Sequence, residues 1–159
     1  MALTSQADAK RFDRLVSVRQ TFATVAESHV REAEAEVRKI ETLIEGVDRK
    51  IRQAREEVTH RPMARGQDYQ QVEQYVEVLK KHRARLLVTL DKAKEKLAHC
   101  TLEWTEARRE SKVVERLQER RLQEWQRQED VAQQKSADDA YIGRFVRSRN
   151  AGRNFSRDS

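Results

Sequence analysis

VREAEAEVRKIETLIEGVDRKIRQAREEV, running from Val30 to Val58, is the stretch on which the fold turns. Its apolar residues fall at Val30, Ala33, Val37, Ile40, Ile44, Val47, Ile51, Ala54 and Val58, in steps that alternate between three and four. An average step of about 3.5 residues keeps one side of an α-helix turned towards a partner helix, because a slight supercoil absorbs the mismatch with the natural helical turn. The stretch therefore predicts one half of a coiled coil.

Upstream, Leu15, Val18, Phe22 and Val25 repeat the spacing, but the step from Val25 to Val30 is out of phase, which predicts a local unwinding near His29. Downstream the pattern returns as Val72, Tyr75, Leu79, His82 and Leu86, then Leu90, Ala93, Leu97, Cys100, Trp104, Ala107, Ser111 and Val114. Between the seams lie Pro62, which ends a helix, Gly66, which permits a turn, and Asp68, suited to N-cap the next helix. The expected fold is all-α, with two long helices in an antiparallel coiled-coil hairpin and the second helix the longer. The expected hairpin occupies residues 1–143, with a helix over about 8–60, a tip at 61–67, a helix over about 68–142, and a flexible basic tail at 144–159.

Composition agrees. With 38% charged residues, four glycines and one proline in 159 residues, the chain lacks the turn-forming material of a multilayered globular domain, so one elongated domain is expected. A two-helix hairpin buries only a narrow seam, and the rest of its surface is polar. Acids placed four residues before a base (Glu27 and Arg31, Glu34 and Arg38, Glu45 and Arg49, Glu77 and Lys81) read as solvated helix faces.

Folding the chain about residue 64 pairs position i with roughly 128 minus i, since both helices rise about 1.5 Å per residue. The first helix then covers the second only to about residue 120, leaving Leu122, Trp125 and Val131 without an intramolecular partner. Trp104 falls opposite the Phe22–Ala26 region, where Ala23 and Ala26 are small enough to admit an indole, so it is expected in the core.

The chemistry-bearing residues are sparse. Cys100 is the only cysteine, which rules out an intramolecular disulfide and, at a seam position, suggests a small buried apolar side chain in a reducing compartment. His99 points about 100° away from it on a helix, so no metal site is expected, and no cofactor either. There is no phosphate-cradling glycine loop and no nucleophile set beside a histidine, and a helix pair offers no concave pocket; the chain is read as no enzyme. No segment approaches the length needed to span a bilayer, and the N-terminus lacks the apolar core of a cleaved secretion signal, so a soluble protein is expected. Asn154-Phe-Ser156 matches a glycosylation sequon that such a protein would not use.

A net charge of +6 raises nucleic-acid binding. Arg144, Arg147, Arg149, Arg153 and Arg157, opposed only by Asp158, form a basic tail that suits phosphates or an anionic protein surface, or is simply solvated. A basic zipper needs one basic stretch feeding one leucine heptad run, and this chain has two runs and a turn, which makes nucleic acid the weaker reading.

Arg11-Phe-Asp-Arg-Leu-Val-Ser-Val-Arg19, the tip followed by Asp68-Tyr-Gln-Gln-Val72, and above all Glu103-Trp-Thr-Glu-Ala-Arg-Arg-Glu-Ser-Lys112 leading through Glu115-Arg-Leu-Gln-Glu-Arg120 to Gln134-Lys-Ser-Ala-Asp-Asp139 resemble the FliJ family of flagellar type III export proteins. The injectisome stalk proteins of the YscO and HrpO kind are its close relatives. The resemblance covers most of the chain and implies an antiparallel coiled coil like the central stalk of rotary ATPases. It implies a cytoplasmic protein, peripheral at the inner face of the cytoplasmic membrane. Its termini would sit within the hexameric export ATPase, its hairpin would reach the membrane export gate, and it would bind export chaperones. Carried over by position, the gate-contacting surface falls on Ile40, Leu43, Val47, Val72, Val76, Leu79 and His82. Leu43 and Val76 lie off the strict stripe and are the better partner-facing candidates, because exposed aliphatics beside a seam cost solubility unless covered. The ATPase-facing candidates are Arg116, Arg120, Arg121 and Trp125. The rival readings are an injectisome stalk, a homodimeric coiled-coil scaffold and a nucleic-acid-associated hairpin.

The hairpin expectation is checked by spin labels at Val18 and Glu110 within one chain. They should lie close together, whereas one continuous helix would hold them about 140 Å apart.

Overall fold

A computed structural model describes residues 2–155, with side-chain surroundings described between residues 8 and 153. It consists of two helices, α1 (Ala2–Thr59, 58 residues) and α2 (Gly66–Phe155, 90 residues), packed on each other as an antiparallel hairpin coiled coil. The second helix is the longer, as its seam predicts.

The turn between them follows from local chemistry. α1 closes with His60 N–H donating to Glu56 O at 3.0 Å and a His60 ring nitrogen 2.8 Å from the same carbonyl, just before Pro62 removes the next donor. α2 opens at Gly66, and the Arg65 backbone N–H donates to Asp68 Oδ2 at 2.9 Å. Asp68 therefore sits inside the first turn and reaches back, as the acidic partner of a capping box does, rather than acting as the N-cap itself. Its charge also complements the positive end of the helix dipole. Gly66 takes no left-handed conformation; among the described residues no positive φ occurs.

The chain divides into two compact units, residues 14–111 and the paired segments 1–13 and 112–159. In the first, three cross-helix ion pairs record the antiparallel register. Arg55 meets Glu73 across 18 residues of sequence, Arg83 meets Asp48 across 35, and Arg19 meets Glu110 across 91. The buried stripe of α1 in this unit runs Val16, Arg19, Ala23, Ala26, Val30, Ala33, Val37, Ile40, Ile44, Val47, Ile51, Ala54 and Val58, each buried or half-buried. All its steps are three or four in strict alternation, so the phase break expected near His29 does not exist. The larger side chains at Leu15, Val18, Phe22 and Val25 suggested it, but they lie outside the seam and are exposed. Ala23 and Ala26 hold the seam there, and just beyond them Trp104 packs from α2 against the cluster of Val30, Ala33 and Cys100. An indole between two helices leaves room for alanine, and Ala33 keeps only 3% of its surface.

The stripe of α2 is likewise displaced from expectation at two places. It runs Val72, Val76, Leu79, Arg83, Leu86, Leu90, Ala93, Leu97, Cys100, Trp104, Ala107 and Ser111, with Val76 and Arg83 taking the positions expected for Tyr75 and His82, both of which are exposed. Val76 is the most buried side chain, at 0% exposure. Midway along the unit, Val37, Ile40, Ile44, Leu90 and Ala93 form one cluster, with Leu86 and Leu97 packed against it. Each large aliphatic withdrawn fully from water contributes on the order of 1.5–3 kcal/mol before entropy is counted.

In the other unit, Phe12 is half-buried beneath the Arg121 guanidinium, 4.4 Å from its ring centroid, and Gln118 donates to Asp13. From Glu119 to Ile142 every α2 residue is exposed, which places Leu122, Trp125 and Val131 in solvent, as the arithmetic of unequal helices predicts. α2 does not stop near residue 142. It continues through Gly143 and Gly152 to Phe155, so Arg144, Arg147, Arg149 and Arg153 are helical, while Arg157 and Asp158 and the last residue of the sequon lie outside the described residues. A glycine in a helix costs only about 1 kcal/mol relative to alanine, and no proline follows to force a stop. Of the expected surface pairs, Glu27 meets Arg31 at 3.4 Å, and Glu77 meets Lys80 at 3.3 Å rather than Lys81.

The register of α2 has a direct check in urea unfolding. Val76→Ala should lower stability by about 2 kcal/mol, since it deletes buried methyls and leaves a cavity. Tyr75→Ala should change it by less than about 0.5 kcal/mol. The reverse ranking would restore the stripe through Tyr75.

Candidate functional site

The seven residues carried over as gate-contacting all lie in the unit of residues 14–111, and burial separates them into two kinds. Ile40, Val47, Val76 and Leu79 are buried between the helices and Val72 is half-buried, so they shape this part of the hairpin from inside. Leu43, 49% exposed, and His82 are the two that face solvent. Leu43 was expected to stand off the stripe and does. Val76 was expected beside it and instead lies at its centre, because the steps Val72, Val76, Leu79 keep the four-three alternation that α1 demands.

Two further exposed aliphatics lie at about the level of Leu43, on other faces of the helix pair. Asp48 and Arg83 are joined at 2.7 Å, so Leu43, five residues before the one, and Val88, five after the other, stand at about the same level of the helix pair. Val88 and its neighbour Leu87 are both exposed. A sequence signal for them existed. Leu86, Leu87 and Val88 are three consecutive apolar residues, and successive helical positions diverge by about 100°, so they cannot all face one seam.

The Asp48–Arg83 pair itself is a polar interruption of an apolar stripe. Both side chains are about 40% exposed, at 41% and 39%, and Arg83 lays its stem along the seam while its head stays wet. Solvent screening at that exposure keeps the pair's contribution below about 1 kcal/mol. Its position next to His82 and Leu79 makes it a register pin, since a charged group in a seam has a partner in one alignment only.

A second exposed apolar surface in the same unit is the stripe of Leu15, Val18, Phe22 and Val25 on α1, with Phe22 58% exposed. It runs parallel to the true seam, one residue out of step. On the facing helix, Arg108 stands 5.5 Å from the Trp104 ring centroid, which covers the wet side of the half-buried indole.

The ATPase-facing candidates lie in the other unit. Arg116, Arg120, Arg121 and Trp125 are all exposed, and Arg121 is also the residue stacked on Phe12. Arg116 and Arg120 are four residues apart, which puts them on one face of α2.

Cys100 is buried in the Val30–Ala33 cluster, and His99 is exposed, 3.6 Å from Glu103. Among the described residues no group of three or more potential metal ligands converges. Among the same residues no helix is long and apolar enough to cross a membrane. The described surface carries exposed aliphatic residues, Leu43, Leu87 and Val88 among them, set among charged ones.

The sequence model described as Flagellar FliJ protein matches residues 8–150, most of the chain and both helices. No curated protein and no solved structure matches it.

The pin at Arg83 carries an expectation for urea unfolding. Arg83→Leu should leave stability unchanged or raise it, because an apolar side chain suits a seam position better than a half-solvated ion pair. A loss greater than about 1 kcal/mol would show the pair to contribute more than its exposure permits.

Proposed function

The chain belongs to the FliJ family of flagellar export proteins, and from that membership we propose that it is the non-enzymatic coupling stalk of a type III protein export apparatus. In this reading it links the export ATPase ring to the membrane export gate and binds export chaperones, working in the cytoplasm at the inner face of the membrane. The observation that carries the reading is a single family match that spans both arms of the hairpin from residue 8 to residue 150.

The physical argument runs from symmetry. A ring of six identical subunits has no way to distinguish one subunit from the next. A pair of unlike helices, of 58 and 90 residues, set on its axis would present a different face to each subunit. Rotation or selective binding of that pair would make the subunits inequivalent in turn. Long-range charge attraction suits such a contact, since it does not depend on one side chain in one geometry. Arg116, Arg120, Arg121 and Trp125 are assigned to this face, because they are exposed on α2 in the unit that holds the first residues of α1. The gate contact is assigned to Leu43 and His82 at the surface, with Ile40, Val47, Val72, Val76 and Leu79 holding them from beneath.

The test is a pull-down and turnover assay with the cognate export ATPase at physiological salt. The chain should bind the ATPase and change its oligomerisation or turnover. Arg116→Glu combined with Arg120→Glu should weaken binding about ten-fold while the thermal unfolding of the hairpin stays unchanged, two charge reversals at about 0.7 kcal/mol each. No binding by the unaltered chain would discard the stalk reading, and full binding by the reversed variant would discard the face assigned to it.

A further inference from the structure

From Ala140 to Arg153, α2 holds four arginines, Arg144, Arg147, Arg149 and Arg153, and no acidic residue. The first two turns of this segment expose a cluster of large apolar side chains, Tyr141 at 73%, Ile142, Phe145 and Val146. At about 100° per residue these four occupy an arc of about 140°, with Arg149 inside that arc and Arg153 near its edge. Arg144 and Arg147 lie on the far side, and Arg147 lies back along the helix, its Nε donating to Gly143 O at 3.1 Å. Helix, apolar arc and undiluted positive charge thus coincide in one segment that no described residue of its unit covers.

We propose that this segment is an interfacial helix that docks on an anionic lipid surface. Charge complementarity and the shape of the apolar arc select that occupant. A protein groove reads an amphipathic helix through anchors spaced three, four and seven residues apart, and the residue seven after Ile142 is Arg149. A guanidinium in the middle of a dry groove needs a carboxylate buried with it. At a bilayer interface no such partner is needed, because the long stem carries the guanidinium out to a lipid phosphate while Ile142, Phe145 and Val146 dip into the acyl boundary. Tyr141 fits the headgroup level, where an aromatic ring with a polar tip is favoured. Nucleic acid would neutralise the arginines yet leave the apolar arc in water. The inference deepens the membrane-face location of the stalk reading by naming the segment and the lipid chemistry, and its test uses the chain by itself, so that its failure is distinct from a failure of the ATPase contact.

The experiment is co-sedimentation of the full chain, with no ATPase present, on vesicles of phosphatidylcholine and on vesicles containing about one third phosphatidylglycerol. The anionic vesicles should retain the chain at least about ten-fold more strongly, and retention should fall as salt shortens the screening length. Phe145→Ser should weaken it about ten-fold through lost apolar burial, and Arg144→Gln with Arg147→Gln by at least five-fold per charge. Both variants replace exposed residues, and circular dichroism confirms that the helices persist. Equal retention on neutral vesicles, or none on anionic ones, would overturn the proposal. Retention that ignores Phe145→Ser but is abolished by loss of the arginines would also overturn it and assign the segment to general polyanion binding, as would tighter binding of duplex DNA that is indifferent to Phe145.

Discussion

The alternation of three and four that both helices keep along one seam, from Val16 to Val58 on α1 and from Val72 to Ser111 on α2, is the constraint on which this hairpin rests. Trp104 packs from α2 against the buried cluster of Val30, Ala33 and Cys100, and Leu97 packs against the same cluster. The same alternation puts Ala23 and Ala26 in the seam and turns Phe22 and Val25 to solvent. With the phase set there, the alternation of three and four carries through every position from Val16 to Val58 without interruption. The facing helix has to follow the same alternation, which is why Val76 is buried and Tyr75 is not.

Polar groups enter the seam where long stems let them. Arg19 and Arg83 occupy stripe positions, and each reaches a carboxylate on the other helix. These pairs add little stability at their degree of exposure, but each is satisfied in one alignment of the helices and unsatisfied in its neighbours. A two-helix structure with a narrow core gains specificity from such pins, since a slip of one heptad would otherwise exchange aliphatic residues for others of similar size. Leu43, one residue before the buried Ile44, stands beside the seam and is held in place by the buried layer under it.

Much of this was legible in the sequence. The 3.5-residue period, the single proline and the scarcity of glycine led to two helices and a turn, and the rise per residue led to a second helix longer than the first. The family was legible too, through the order of short charged motifs, and the match over residues 8–150 bears that reading out. Less legible was which of two adjacent stripes is buried. Leu15, Val18, Phe22 and Val25 outrank Val16, Arg19, Ala23 and Ala26 on any hydrophobicity scale, and hydrophobicity is the quantity a periodicity argument weighs. The candidate site suffered from the same ambiguity, since Val76 and His82 each differ from a seam assignment by one residue.

The sequence by itself determined the elements: α-helical periodicity is local, set by steps of three and four within one strand of text, and Pro62 ends a helix wherever the rest of the chain lies. It also determined that α2 outlasts its partner, because rise per residue is the same in every helix. Only the tertiary structure decided which face of each helix is core. One residue of rotation, about 100°, exchanges the buried and exposed stripes without altering the period, and the choice between them is made by contacts between the helices: the cluster of Val37, Ile40, Ile44, Leu90 and Ala93, the packing of Trp104, and the cross-helix pairs of Arg19 and Arg83 that this alignment satisfies. Those contacts join residues as much as 91 positions apart, a distance over which no local pattern carries information.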